Sequence, residues 1–126
     1  MTYKKLASVK VTSTTQSGIP ALVYQVPENK EVIISKVYIH NLQGNTDIRA
    51  HVFFVDPSNS NEYDANNNTI NEESTRAFDI LIPSLDTAIF GSGVTLANKQ
   101  SIYVRSIGGD AVVHVFGKIV DKQPPI

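Results

Sequence analysis

The residues that could carry chemistry are few and scattered. His40, His51 and His114 are the three histidines, and there is no cysteine. A metal set draws its imidazoles from short, regular spacings or adds a carboxylate on the same face. Here the spacings are long, no H-x-H pair occurs, and thiolate sites and disulfides are excluded outright. Ser92 lies in Gly91-Ser92-Gly93, which lacks the outer frame of a G-x-S-x-G nucleophile elbow and has no helix after it. Adjacent Glu72 and Glu73 diverge along most backbones and make a poor acid/base pair around one glycosidic bond. Asp56-Pro57-Ser58-Asn59-Ser60-Asn61-Glu62 alternates oxygen donors like a calcium loop, but Asn61 stands where the sharp bend needs glycine. A turn is the better reading. Tyr63 beside it could stack on a sugar, or serve as an exposed contact residue. The expectation is no catalytic residue, no metal and no cofactor.

Composition narrows the field in the same direction. Of 126 residues, 41% are hydrophobic and 18% charged, and Ser, Thr, Asn and Gln fill the difference. That balance suits β-structure with polar loops. The net charge is −1, and Lys4, Lys5 and Lys10 are the densest basic group. A nucleic-acid binder would carry a larger basic stripe, so no nucleic-acid partner is expected. No run approaches the ~20 apolar residues that span a bilayer, and the N-terminus lacks an apolar signal run. The expectation is therefore no membrane partner and assembly in a host cytoplasm, a reducing compartment that suits a chain without cysteine.

The elements that would position these residues repeat with period two. Leu6–Thr15 puts Ala7, Val9 and Val11 on one face and Ser8, Lys10 and Thr12 on the other. Ala21–Val26 follows, then a Pro27–Lys30 turn. In Glu31–Leu42, Ile33, Val37 and Ile39 read as one face, and Val32, Ile34, Tyr38 and Leu42 as the other. Ile48–Val55 is apolar on one face and half apolar on the other (His51, Phe53, Val55). Apolar residues on both faces mean burial on both, under a loop or another subunit. Residues 56–75 read as one long polar loop. Arg76–Ile82, Asp86–Phe90 and Val94–Leu96 are further strands. Ser101–Ile107 and Ala111–Val120 read as a hairpin closed by Gly108-Gly109. Residues 121–126 form a tail that Pro124 and Pro125 keep out of any sheet. The best helical window, Asn71–Phe78, has no apolar stripe. The whole reads as one all-β domain over residues 1–126. It is a jelly-roll-like antiparallel β-sandwich of about eight strands.

Two stretches carry a resemblance. Val26-Pro27-Glu28-Asn29-Lys30 leads into Glu31–Asn41 as a turn followed by an I-x-x-I-x-I-x-N strand. Leu96–Ser106 and Val115-Phe116-Gly117 then match an L-x-x-G-x-S-I-x-V … V-x-G closing, with Lys99-Gln100 where a glycine is common. Over residues 20–120 this layout resembles small β-sandwich virion proteins of tailed bacteriophages. The resemblance implies a non-enzymatic structural protein of the virion, a capsid decoration (cement) protein. The alternatives are a tail, neck or baseplate accessory, or a carbohydrate- or receptor-binding module. It implies partners in the chain itself, as a homo-oligomer (a trimer by analogy), and in the major capsid protein or another virion protein.

Contact residues follow from cost. Ordering a polar loop costs on the order of 1 kcal/mol per residue. Asn66, Asn67 and Asn68, with Tyr63 as anchor, are expected to offset that cost against a partner. Pro124 and Pro125 would stiffen an extended arm with the same role.

Overall fold

In the computed structural model, residues 3–91 and 93–121 are described. Strand β1 (Lys4–Val11) is followed by β2 (Ser13–Thr14), β3 (Ala21–Gln25), β4 (Lys30–Asn41) and β5 (Ile48–Val55). Then come β6 (Tyr63–Asp64), β7 (Thr69–Ile70), the single helical turn α1 (Glu72–Thr75) and β8 (Arg76–Ile82). The chain continues with β9 (Thr87–Phe90), β10 (Val94–Leu96), β11 (Ser101–Ile107) and β12 (Ala111–Asp121).

One sheet runs β1-β12-β4, with β9 and β10 end to end along the far edge of β4. The other runs β8-β5-β11, with β3 and β2 end to end along the far edge of β11. Pairing is antiparallel except for the short parallel contact of β2 with β11. Treating each end-to-end pair as one broken strand leaves the expected eight positions, four per sheet. The chain crosses to the opposite sheet at every connection but β5 to β8, which stay side by side. That is the strand order of a jelly roll.

The core lies between the sheets. Val32, Ile34, Val37 and Ile39 of β4 meet Ile48, Ala50 and Val52 of β5, Ile102 and Val104 of β11, and Val113 and Val115 of β12. Each is 5% exposed or less, and burying a side chain of this size contributes roughly 1.5–3 kcal/mol.

Two expectations from the sequence need correction. The Gly108-Gly109 turn does not close a hairpin. β11 and β12 belong to different sheets, so the turn is a corner between layers. Gly108 has φ of +95°, and a Cβ on Gly109 would meet the Gln43 side chain at 2.2 Å. The turn residues are those of a hairpin, but Asp110 steers the exit. Its Oδ1 accepts from the Ser13 amide, and its carbonyl accepts from the Leu42 amide.

The faces of β4 were also misassigned. Lys36 pairs with Phe116 and Ile34 with Gly117, leaving Ser35 as an extra residue. The bulge switches the inward parity, so Val32 and Ile34 share the core face with Val37 and Ile39. The outer face of β4 is therefore less apolar than strict alternation implies. Gly117 sits opposite the bulge, where a Cβ would come 2.5 Å from the Ile33 carbonyl oxygen.

Candidate functional site

The 56–75 segment is held by its own amides and carboxylates. Asp56 Oδ1 accepts from the Ser58 amide (3.0 Å) and hydroxyl (2.6 Å). Glu62 accepts from the Asp56 amide and from Asn59 Nδ2. The carboxylates of the calcium-like spacing thus accept from backbone and side-chain donors of the loop itself. β6 and β7 form a small hairpin that the sequence reading left as loop. At its tip Asp64 accepts from the Asn66 amide, the Asn67 amide and Asn67 Nδ2. The Asn67 side chain, then the Asn66 backbone, hold the Asp64 carboxyl below its usual range. Asn68 takes φ of +52°, and its Oδ1 accepts from the Tyr63 hydroxyl at 3.0 Å. Asn71 then caps α1 by accepting from the Glu73 amide. These bonds offset part of the ordering cost within the domain. Pro124 and Pro125 lie outside the described residues.

The loop roofs the outer face of the β8-β5-β11 sheet. On that face Arg105 stands directly opposite His51, and His51 opposite Asp79; in the next row Tyr103 faces Phe53 and Phe53 faces Arg76. The Arg105 side chain is 0% exposed. All five of its N–H donors are engaged. Nε and Nη2 donate to His51 Nδ1 at 3.2 and 2.7 Å. Nη1 donates to the Gly18 carbonyl (2.9 Å) and Glu72 Oε2 (2.8 Å), and Nη2 to Glu72 Oε1 (2.8 Å). Arg76 Nη2 also donates to Glu72 Oε1, at 2.7 Å. The Arg105 and Arg76 guanidinium carbons lie 5.4 and 5.8 Å from the Phe53 ring centre. Hydrogen bonding from Arg105, followed by that from Arg76, lowers the Glu72 carboxyl to about 2. Burial, then the charges of Arg76 and Arg105, push His51 down. With Nδ1 accepting twice, His51 is neutral and carries its proton on Nε2, 3.5 Å from Asp79 Oδ1.

Every Arg105 donor in this cluster is engaged, and Glu72 remains partly exposed beside it. The cluster's evident work is to pin the roof. The other histidines stand on the opposite sheet, where His40 Nδ1 lies 2.8 Å from Thr87 Oγ1. His114 sits two residues along β12 from the partner of His40, and burial lowers its pKa. Among the described residues no three His, Cys, Asp or Glu groups converge as metal ligands. Ser92 lies outside the described residues.

Beside the cluster is a cavity of about 220 Å³ between the Ser17–Pro20 segment and the β6-β7 hairpin. Tyr63, Asn68, Ile70, Glu72 and Tyr103 line it. Burial, and the neighbouring Tyr63 phenol, raise the pKa of Tyr103. Of the contact residues expected from sequence, the structure brings Tyr63 and Asn68 to this cavity and leaves Asn66 and Asn67 at the exposed hairpin tip.

Among the described residues, the outer face of the other sheet has no such roof. Tyr38 and Phe116 meet edge to face at 5.3 Å, and Ile89, opposite Tyr38, is 59% exposed. Lys5 Nζ lies 5.9 Å from the Phe116 ring centre, and Lys118 Nζ 6.0 Å from that of Tyr3. Lys10 and Lys36 flank these rings on β1 and β4.

No family model matches the chain, and no curated protein matches it. Among solved structures, the virus-like particle of the extra small virus of the giant freshwater prawn Macrobrachium rosenbergii is similar. The match covers 98% of this chain and 82% of that chain, at 13% identity and a TM-score of 0.26. A likeness so loose carries no weight for fold or function.

Sequence reasoning missed Arg105, His51 and Glu72 as a unit. The available signal was a lone arginine in the middle of the apolar strand Ser101–Ile107, which demands a buried partner.

Proposed function

We propose that this chain is a non-enzymatic structural protein of a tailed-phage virion, a decoration protein that docks through the outer face of the β1-β12-β4 sheet. The observation that carries the reading is an asymmetry. One sheet has its outer face roofed by the chain's own loop, while among the described residues the other leaves Ile89 exposed beside half-buried Tyr38 and Phe116, among lysines. An uncovered patch of aromatic and aliphatic side chains rimmed by one sign of charge is the make-up of a docking surface. Lys5, Lys10, Lys36 and Lys118 stand on it, with Glu31 and, at the end of β12, Asp121 the carboxylates on its strands among the described residues. Its occupant is an acidic surface of another virion protein. The sequence resemblance supports the virion setting. Jelly rolls occur in viral capsid proteins but also in lectins and cupins, so the fold supports it by analogy alone.

Self-association belongs to the same proposal, with Asn66 and Asn67 at the hairpin tip as secondary contacts. Light scattering is expected to show an oligomer.

The test is incorporation into particles. Ile89→Glu, and separately Lys5→Glu with Lys36→Glu, are expected to fold and to be missing from purified virions. Immunogold labelling of wild-type virions is expected on the head. Wild-type incorporation of both variants would overturn the docking face, and label confined to the tail would move the protein to the tail, neck or baseplate.

A further inference from the structure

The cavity beneath the β6-β7 hairpin has a chemistry of its own. It is walled by two phenol rings, Tyr63 and Tyr103, with Pro20 and Ile70 adding apolar surface. Asn68, Thr69 and the Glu72 carboxylate supply polar groups beside them. Such a mixture of aromatic wall and few convergent polar atoms is how small-molecule sites are built.

The charges decide the ligand class. Among the described residues no lysine or arginine lines the cavity. Arg105, which bonds the lining Gly18 and Glu72, is fully buried with every donor used, so it offers an anion no partner. A cation fares no better. Both Glu72 oxygens already accept from Arg105, and Oε1 also accepts from Arg76, which neutralises the carboxylate. Those oxygens still have lone pairs for a neutral hydroxyl. A wholly apolar ligand would cover the Asn68 Nδ2 and the remaining Glu72 lone pairs without adding partners for them.

What remains is a neutral, hydroxyl-rich molecule with one apolar face. At about 220 Å³ the cavity falls below the roughly 300–1,000 Å³ of drug-sized sites, so it takes one ring and not a chain of them. We propose that this cavity binds a single sugar residue, a neutral hexose or the terminal unit of a neutral glycan. Its apolar face lies against Tyr63 or Tyr103, and its hydroxyls donate to Glu72 and pair with the Asn68 amide. The Asn68 Oδ1 bond to the Tyr63 hydroxyl holds the wall in place before the ligand arrives. The site faces away from the uncovered sheet, so it does not rest on the docking proposal. A chain seated on a particle by one sheet would present this cavity on the opposite side.

The test is an amide-resolved NMR titration of the full chain with glucose, galactose, mannose, rhamnose and N-acetylglucosamine, each to 100 mM. At least one sugar is expected to give saturable shifts centred on Tyr63, Asn68 and Tyr103. Tyr63→Ala should weaken that binding tenfold or more. Asn68→Gly, which keeps the positive φ and removes the amide, should weaken it several-fold. Both changes lie on the exposed hairpin, away from the core. Absence of saturable shifts with all five sugars would overturn the proposal, and so would binding that both variants leave unchanged.

Discussion

Arg105 Nη2 lies 2.7 Å from His51 Nδ1, directly across the β11–β5 ladder, which makes a neutral imidazole the acceptor for a fully buried guanidinium. Protonating His51 would set an N–H against two N–H donors. The same histidine faces Arg76 and Asp79, and Glu72 stands beyond Arg105.

Stability is therefore expected to fall in two steps as the solution is acidified. In the unfolded chain His51 takes a proton near 6.5, and in the folded chain only at lower pH. Below 6.5 the unfolded state binds more protons, so stability declines as pH falls. Glu72 titrates near 4.5 unfolded and about 2 folded, which adds a second decline below 4.5. Urea midpoints at pH 8, 6, 5 and 4 measure both. His51→Gln, whose amide oxygen can still accept from Arg105, should shrink the first step, to which partly buried His114 also contributes, and leave the second.

Breaking the pair from the other side should be costlier than exposed ion pairs suggest. Glu72→Ala leaves the buried Arg105 with only His51 and the Gly18 carbonyl as acceptors, a loss of about 1–3 kcal/mol since Glu72 itself is partly exposed. Hydrogen exchange should then quicken across residues 56–75 before it does in the core. Arg105→Met together with Glu72→Ala should recover part of the loss. A double variant no better than Glu72→Ala alone would show that the guanidinium was not the source of strain.

Asn41 is a second buried polar lock. Its Nδ2 donates to the Thr46, Ile82 and Pro83 carbonyls, and its Oδ1 accepts from the Gln43 amide. Asn41→Ala removes the bonds of a side chain with no exposure and leaves the buried Ile82 carbonyl short of a donor, and about 1–2 kcal/mol of stability should be lost. Chemical denaturation should show a lower midpoint with an unchanged slope.

Lys99 offers a gain. It holds φ of +63° in the turn before β11, at the position where the resembled pattern has glycine. Left-handed geometry costs a side-chain-bearing residue about 1–2 kcal/mol, partly offset in glycine by its freer unfolded state. Lys99→Gly should raise stability by about 0.5–1 kcal/mol. The Glu28 contact it removes, at 4.0 Å and exposed, contributes little. Thermal unfolding should show a Tm a few degrees higher.

Strand positions were legible because a two-residue period survives wherever one face is buried. What stayed hidden were the features a period cannot encode. The Ser35 bulge reverses parity inside β4 without any turn residue to announce it. The Gly108-Gly109 turn satisfies the same dihedral needs whether the next strand stays in its sheet or changes layer. The 56–75 roof was read as unable to recover its entropy because its residues are polar, yet Asp56, Glu62 and Asp64 supply acceptors that a hydrophobicity count ignores. Two signature residues of the resemblance find structural work. Asn41 ties the end of β4 to the end of β8, and Gly117 lets β12 approach the β4 bulge.

The broken strands have a consequence for crowding. Each sheet ends on one side in two short pieces, β9 with β10 and β2 with β3, where a neighbour could pair for only a few residues before losing register. The continuous outer strands carry Lys4, Lys5 and Lys10 on β1, and Arg76 and Asp79 on β8. Fraying two borders and charging the other two denies a growing fibril any straight template. A protein accumulated to high concentration ahead of assembly could stay dispersed until the intended surface captures it.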